Sequence, residues 1–178
     1  MVTQELLNFN ALDWIDRYFA GGVQIDYEEL RPILCFSLIW NLFETVACGR
    51  NATPDSIRRS VDRTDQAGRL QAVKYLRYLD YFRNRYLRAG TIEHAFDGLL
   101  MTNRQSQVAV RRALNDEAHD LNNTVYALLL IAHRIRNNLF HGNKSIQSLH
   151  TQTELFHVVN HLLADYIEDV EGRLINRP

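Results

Sequence analysis

Near the end of a long apolar stretch the chain reads His133-Arg134-Ile135-Arg136-Asn137-Asn138-Leu139-Phe140-His141-Gly142. Arg136, Asn137 and His141 carry side chains suited to chemistry on a phosphate. A guanidinium presents a planar fork of donors that matches phosphate oxygens. An imidazole, with an ordinary pKa of about 6.5, can take or give a proton near neutral pH. Five steps along a helix turn the chain through about 500°, which leaves Arg136 and His141 roughly 140° apart in direction. They converge only if the helix ends between them, and Gly142 is placed to end it. Arg136 also shares a face with Leu129, His133 and Phe140. An Arg on so apolar a face needs an anion, either a buried carboxylate such as Glu44 or the phosphate of a ligand. Two readings are therefore open. In one, Arg136 pairs with Glu44 and His141 merely caps the helix; in the other, these residues form a site, supported by Glu44 and His133.

The elements that must position these residues are helices, because apolar residues recur at helical spacing and no stretch alternates long enough for a strand. The pattern predicts a helix over about Gln4–Phe19, stopped by Gly21-Gly22, and a second from Asp26 to Cys48, ended by Gly49. Pro32 inside the second predicts a kink or a late start. Thr53-Pro54 reads as N-cap and first-turn proline of a short helix through Val61. A long helix is expected from Gln66 to Arg88, closed by Gly90; Thr91–Arg104 is part helix and part loop, and Gln105–Leu114 is helical. Asp120–Phe140 is the most apolar helix, with a stripe of Leu121, Val125, Leu128, Ala132, Ile135 and Leu139. Thr151-x-x-Glu154 is a capping-box pattern opening a last helix to Leu174, striped by Phe156, Val159, Leu163, Tyr166 and Val170. Two such helices joined by about ten residues should pack antiparallel. The expectation is one all-α domain over residues 1–178, a helical bundle with long antiparallel C-terminal helices.

The run Arg136, Asn137, three further residues and His141 resembles the Rx4–6H motif of the HEPN superfamily, helical-bundle domains that include many metal-independent ribonucleases and toxins. The context is similar as well: the motif ends a strongly apolar helix, another long helix follows, and Ile39-Trp40-Asn41-Leu42-Phe43-Glu44 resembles the tryptophan-and-acid pattern of several HEPN groups. The resemblance implies an endoribonuclease in which His141 acts as general base on a ribose 2′-OH or protonates the leaving 5′-oxygen. Arg136 would hold the scissile phosphate, and Asn137 would bond Arg136 or a phosphate oxygen. It also implies a homodimer with a composite cleft for RNA, and a toxin or phage-defence role with an antitoxin or other regulatory partner. The alternative is a non-catalytic HEPN module that binds nucleotide, RNA or a partner protein. Asn143 stands where toxins paired with nucleotidyltransferase antitoxins have the tyrosine of His-x-Tyr, so control through that tyrosine does not carry over.

Composition narrows the remaining classes. With 178 residues, 46% hydrophobic and 23% charged, the chain has material for one core, and 3 Pro with 8 Gly suggest few turns and long elements. Net charge is −1, yet residues 54–112 carry 12 basic and 6 acidic side chains between two acidic flanks, and 18 of the 20 cations are Arg. Lys74, Arg77, Tyr81, Arg85 and Arg88 fall on one face of the predicted middle helix, either a solvated face or a groove tracking an RNA backbone. His157 and His161 stand at i, i+4 near His150, a spacing open to a metal, but on the face away from the apolar stripe with only Glu154 and Asp165 nearby; an exposed pair and no cofactor are expected. The motif supplies no carboxylate cluster for Mg²⁺, and there is no Gly-rich phosphate loop or Gly-x-Ser-x-Gly elbow. Cys35 and Cys48 read as free thiols in a reducing compartment. The N-terminus lacks a signal-peptide pattern and the apolar runs at Ile33–Trp40 and Tyr126–Ala132 are short, so a cytoplasmic location without membrane contact is expected.

Overall fold

The computed structural model describes residues 8, 10–18, 27–88, 91–92, 94–99, 101–115, 120–140 and 152–173. Within them the chain is all-α, with eight helices and one two-stranded ribbon. The helices are α1 (Ala11–Tyr18), α2 (Tyr27–Ala47), α3 (Pro54–Gln66), α4 (Ala72–Tyr86), α5 (His94–Asp97), α6 (Arg104–Asn115), α7 (Leu121–Phe140) and α8 (Thr153–Glu171). Between α4 and α5, β1 (Leu87–Arg88) and β2 (Thr91–Ile92) pair antiparallel, with Leu87 opposite Ile92 and Arg88 opposite Thr91. The proposed caps at Asp26 and Thr151, and His141 with Gly142, lie outside the described residues.

Several boundaries differ from the sequence expectation for local reasons. α2 starts before Pro32 and runs through it. α3 opens as expected on Thr53, whose Oγ1 accepts from the Ser56 amide at 3.1 Å while Ser56 Oγ accepts from the Thr53 amide at 2.8 Å. It continues past Val61 because its polar face is buried rather than solvated. Tyr166 donates its hydroxyl to Ser60 Oγ at 2.8 Å, and Thr64 donates to the Ser60 carbonyl. Gly68, at φ +67, then turns the chain left-handed between α3 and α4, so the predicted Gln66–Arg88 helix is split. Its far end is extended: Leu87, at φ −117 and ψ 140, leaves the helix to pair in the ribbon.

The core is one contiguous cluster drawn from α2 to α8, with Phe96 as the contribution of α5. Both apolar stripes are buried, but α8 lies chiefly along α2 and meets α7 mainly where α7 ends and α8 begins. Phe36 packs edge-on to Phe156 at 5.3 Å and Phe43 lies 6.0 Å from Tyr166, so α2 and α8 run in the same direction. α7 is instead bracketed by α3, α4 and α6. Arg58 spans α3 and α7, stacking 3.6 Å over Tyr126 and bonding Asn122 and Asn123. Arg83 of α4 donates to the Leu114 carbonyl at 2.9 Å, closing the end of α6. Residues Leu30–Ala47 of α2 have the length and composition of a membrane span, with mean hydropathy 1.3. One edge of that helix (Ile33, Phe36, Trp40, Phe43) is core, whereas Leu34, Leu38 and Leu42 on the other are more than half exposed.

One buried network ties α4 to α8. Lys74 Nζ donates to Asp169 Oδ1 at 2.5 Å, and the Tyr75 hydroxyl donates to the other oxygen of the same carboxylate. One turn earlier on α8, Asp165 accepts from Arg77 Nη2 at 2.5 Å and from the Tyr78 hydroxyl. Removing a buried partner leaves the other charge uncompensated, which costs about 3–5 kcal/mol. Asp169→Ala should therefore lose stability of that order in urea unfolding. Arg31→Ala, which breaks a pair whose side chains are 72% and 82% exposed, should change it by less than about 0.5 kcal/mol.

Candidate functional site

α7 begins where Asp120 caps it: its Oδ1 accepts from the Asn123 amide at 3.0 Å and its carbonyl from the Thr124 amide at 2.8 Å. From Val125 to Ala132 almost every side chain is buried. Beyond this stretch the polar residues of the last two turns leave the core in two directions. Arg134 Nε donates to the Leu99 carbonyl at 3.1 Å, and Asn138 Nδ2 donates to the carbonyls of Gly98 at 3.0 Å and Leu99 at 3.2 Å. That pair fastens the turn after α5 and is spent on structure.

His133, Arg136 and Asn137 turn the other way, towards α2 and the turn that follows it. Arg136 Nη1 donates to Asn137 Oδ1 at 3.2 Å, and Asn137 Nδ2 lies 3.4 Å from His133 Nε2. The His133 ring stands 6.0 Å from the Trp40 ring and hydrogen-bonds the Ala52 backbone. Ala52 in turn donates its amide to Glu44 Oε1 at 3.2 Å. The five residues thus form one polar chain running from Arg136 to Glu44. The turn that carries Ala52 is shaped by Arg50, at the left-handed φ of 72, whose amide donates to the Glu44 carbonyl at 2.7 Å. A non-glycine residue in that region costs on the order of 1 kcal/mol and persists only where its surroundings hold it.

Burial, then the nearby Arg134 and Arg136 charges, press the His133 pKa down to about 4; the Ala52 hydrogen bond and Glu44 oppose this without prevailing. His133 is therefore a neutral imidazole at physiological pH. With Nε2 facing the Asn137 amide, its proton sits on Nδ1. Arg136 itself is half-buried, with Cζ 5.3 Å from the centre of the Phe140 ring and Nε buried without a hydrogen-bond partner. No ion pair joins it to Glu44 among the described residues; that carboxylate accepts from the Ala52 amide. Of the predicted site, Arg136, Asn137, His133 and Glu44 are thus brought together, and His141 lies outside the described residues.

The predicted basic face of Lys74, Arg77, Tyr81, Arg85 and Arg88 is not continuous. Lys74 is drawn inward to Asp169, which corrects its assignment as an RNA contact. Arg88 sits in β1, off the helix, because α4 ends at Tyr86. Arg77, with its side chain 51% exposed, and Tyr81 line an open groove against α8, and Arg85 lines a small cavity beside Ile135 and Phe156. His157 and His161 are exposed on the other wall of that groove. Among the described residues no three His, Cys, Asp or Glu side chains converge as metal ligands do.

Asp165 and Asp169, which hold the cations of α4, were legible in principle. Acids standing among Leu162, Leu163, Tyr166 and Ile167 need buried partners, and Lys74 and Arg77 repeat at a matching spacing. The Ala52 contact to His133 runs through backbone and has no side-chain signature. Comparison with family models, curated proteins and solved structures finds no match to the chain.

The depressed pKa of His133 makes stability depend on pH with a defined sign. Between about pH 4 and 6.5 the unfolded chain binds a proton at this residue that the folded chain does not, so stability is lost as pH falls through that window. An NMR titration should place the His133 midpoint near 4. His133→Gln should flatten the loss of stability between pH 6.5 and 4 relative to the parent chain; equal slopes would assign the loss to other groups.

Proposed function

We propose that the chain is a metal-independent endoribonuclease of the HEPN type. It works as a cytoplasmic homodimer, as a toxin or phage-defence effector controlled by an antitoxin or another regulatory protein. The observation that carries this reading is Arg136. It sits half-buried at the end of the central helix, oriented by Asn137, and among the described residues no carboxylate pairs with it and its Nε has no partner. A guanidinium held in that state is suited to receive an anion from outside the chain. The ion pair of the competing reading, Arg136–Glu44, is not formed among the described residues.

In the proposed reaction the RNA supplies its own nucleophile. The 2′-oxygen attacks the adjacent phosphorus as its proton passes to a base, the bond from phosphorus to the 5′-oxygen breaks, and that oxygen takes up a proton. His141 is the proton carrier by sequence, since His133, with a pKa near 4, is poorly matched to neutral pH. Arg136 holds the phosphate and stabilises its added negative charge. Asn137 orients Arg136, and His133 orients Asn137.

Purified protein should cleave single-stranded RNA equally well in EDTA, leave a 2′,3′-cyclic phosphate and a 5′-hydroxyl, and spare DNA. His141→Ala and Arg136→Ala should each lower the rate by about 10²–10⁴-fold while remaining folded and dimeric in sedimentation. Cleavage that needs Mg²⁺ and leaves a 5′-phosphate would reject the mechanism. RNA binding without any cleavage would leave a non-catalytic module.

A further inference from the structure

The groove between α4 and α8 has a volume of about 710 Å³, and the polar chain at Arg136 does not use it. It is bordered on one side by Ile39 of α2. Tyr78 and Tyr81 stand on its α4 wall, and His157 and His161 on its α8 wall, with His161 edge-on to Tyr78 at 6.1 Å. The Arg77 guanidinium lies over Tyr78, 4.8 Å from the ring centre, with its side chain half exposed at the rim. Tyr78 is itself buried under Arg77, so the rings of Tyr81, His157 and His161, with the Arg77 guanidinium, make a stacking platform rather than an aliphatic slot.

One oxygen at this groove is left without a hydrogen bond among the described residues. Asn160 donates Nδ2 to the Pro32 carbonyl at 2.7 Å, which fixes the orientation of its amide, and its Oδ1 is buried with no partner. The Tyr81 hydroxyl, by contrast, lies between Arg85 and Glu154. An unpaired amide oxygen beside aromatic rings matches a flat heterocycle that carries its own N–H donors. Exocyclic amino groups of adenine, cytosine and guanine are such donors, and they are open to a protein together with the ring faces only when the strand is unpaired. His157, exposed and one turn from Asn160, stands on the same wall of the groove.

We propose that this groove is a base-docking subsite for single-stranded RNA. A purine or cytosine stacks on the tyrosine and histidine rings, its amino group bonds to Asn160 Oδ1, and the flanking phosphate lies at Arg77. The inference rests on the ribonuclease reading in taking RNA as the ligand, and it places the contact away from the Arg136 chemistry. Because Arg77 is the one cation lining the groove among the described residues and is already paired with Asp165, stacking rather than charge supplies the affinity.

That distribution of forces gives the test. A fluorescein-labelled single-stranded RNA of about ten nucleotides is titrated, at several salt concentrations, into the full chain carrying Arg136→Ala so that it is not cut. His157→Ala with His161→Ala, and separately Asn160→Leu, should each weaken binding about fivefold or more, while the slope of affinity against salt stays unchanged. A 6-thioguanosine probe, which keeps an exocyclic amino group, should cross-link to the α8 peptide containing His157–His161. Both histidines are exposed, so circular dichroism of the double variant should match the parent. Unchanged affinity with cross-links confined to α7 would overturn the subsite and leave the ribonuclease reading standing. Absence of RNA binding and cleavage in the parent chain would overturn both. Loss of self-association at unchanged RNA affinity would make the groove a subunit interface instead, and would also overturn it.

Discussion

The structure depends on one constraint: α7 is buried on nearly all sides through its middle, from Val125 to Ala132, so it carries polar groups only at its two ends. A buried polar side chain without a partner costs more than a satisfied one contributes, so each polar residue in the last two turns must find a carbonyl, an amide or an anion. Arg134 and Asn138 find carbonyls in the turn after α5. His133 and Asn137 find each other and the Ala52 backbone. Arg136 is left with one bond to Asn137 and an unpaired Nε. The candidate site is thus the remainder of a packing problem that the rest of the helix end has already solved. That is why a guanidinium there can stay available without unfolding the helix.

The same accounting governs the charge of the middle third. A surplus of arginine on α4 suggests a face given over to phosphate, but α8 places Asp165 and Asp169 inside its apolar stripe, and those acids claim Lys74 and Arg77 together with the hydroxyls of Tyr75 and Tyr78. Burial and the adjacent carboxylates push both tyrosines well above their ordinary pKa, so the hydroxyls act as fixed donors. Two carboxylates each shared by a cation and a phenol make a stiff bolt between α4 and α8. Stiffness there matters to the groove beside it, because Tyr78 forms part of both the bolt and the groove wall.

Much of this was legible from periodicity. The apolar stripes of α7 and α8, the Thr53-Pro54 start of α3 and the Arg104–Asn115 helix follow from spacing and caps alone. What was not legible depends on partners distant in sequence. α3 looks too polar to extend, since nothing local reveals that Ser60 and Thr64 face the Tyr166 hydroxyl. Gly68 looks like a tolerable interruption until the chain is seen to turn left-handed there. The preference of α8 for α2 over α7 is a matter of three-dimensional packing, with Phe36 against Phe156 and Phe43 against Tyr166. At the site, the Arg136–Asn137 pairing was readable from adjacency and the role of Glu44 was not. A carboxylate two helices away could equally have met the guanidinium, and only the turn through Arg50 hands it the Ala52 amide instead.

That turn also decides which imidazole can move a proton. His133 is enclosed by Trp40, bonded to the Ala52 backbone and placed between two arginines, and each of these except the Ala52 bond favours the neutral ring. A ring fixed as neutral, with its Nε2 committed to Asn137, is a good hydrogen-bond acceptor and a poor acid or base at pH 7. Its contribution is positional: it holds the Asn137 amide so that Oδ1 faces Arg136, and through Asn137 it sets the direction of the guanidinium. Proton transfer in the proposed reaction therefore falls to an imidazole in a different environment, and of the histidines in the motif His141 is the one left for it. In the proposed reaction, then, His133 orients the group that holds the phosphate, and proton transfer falls to His141.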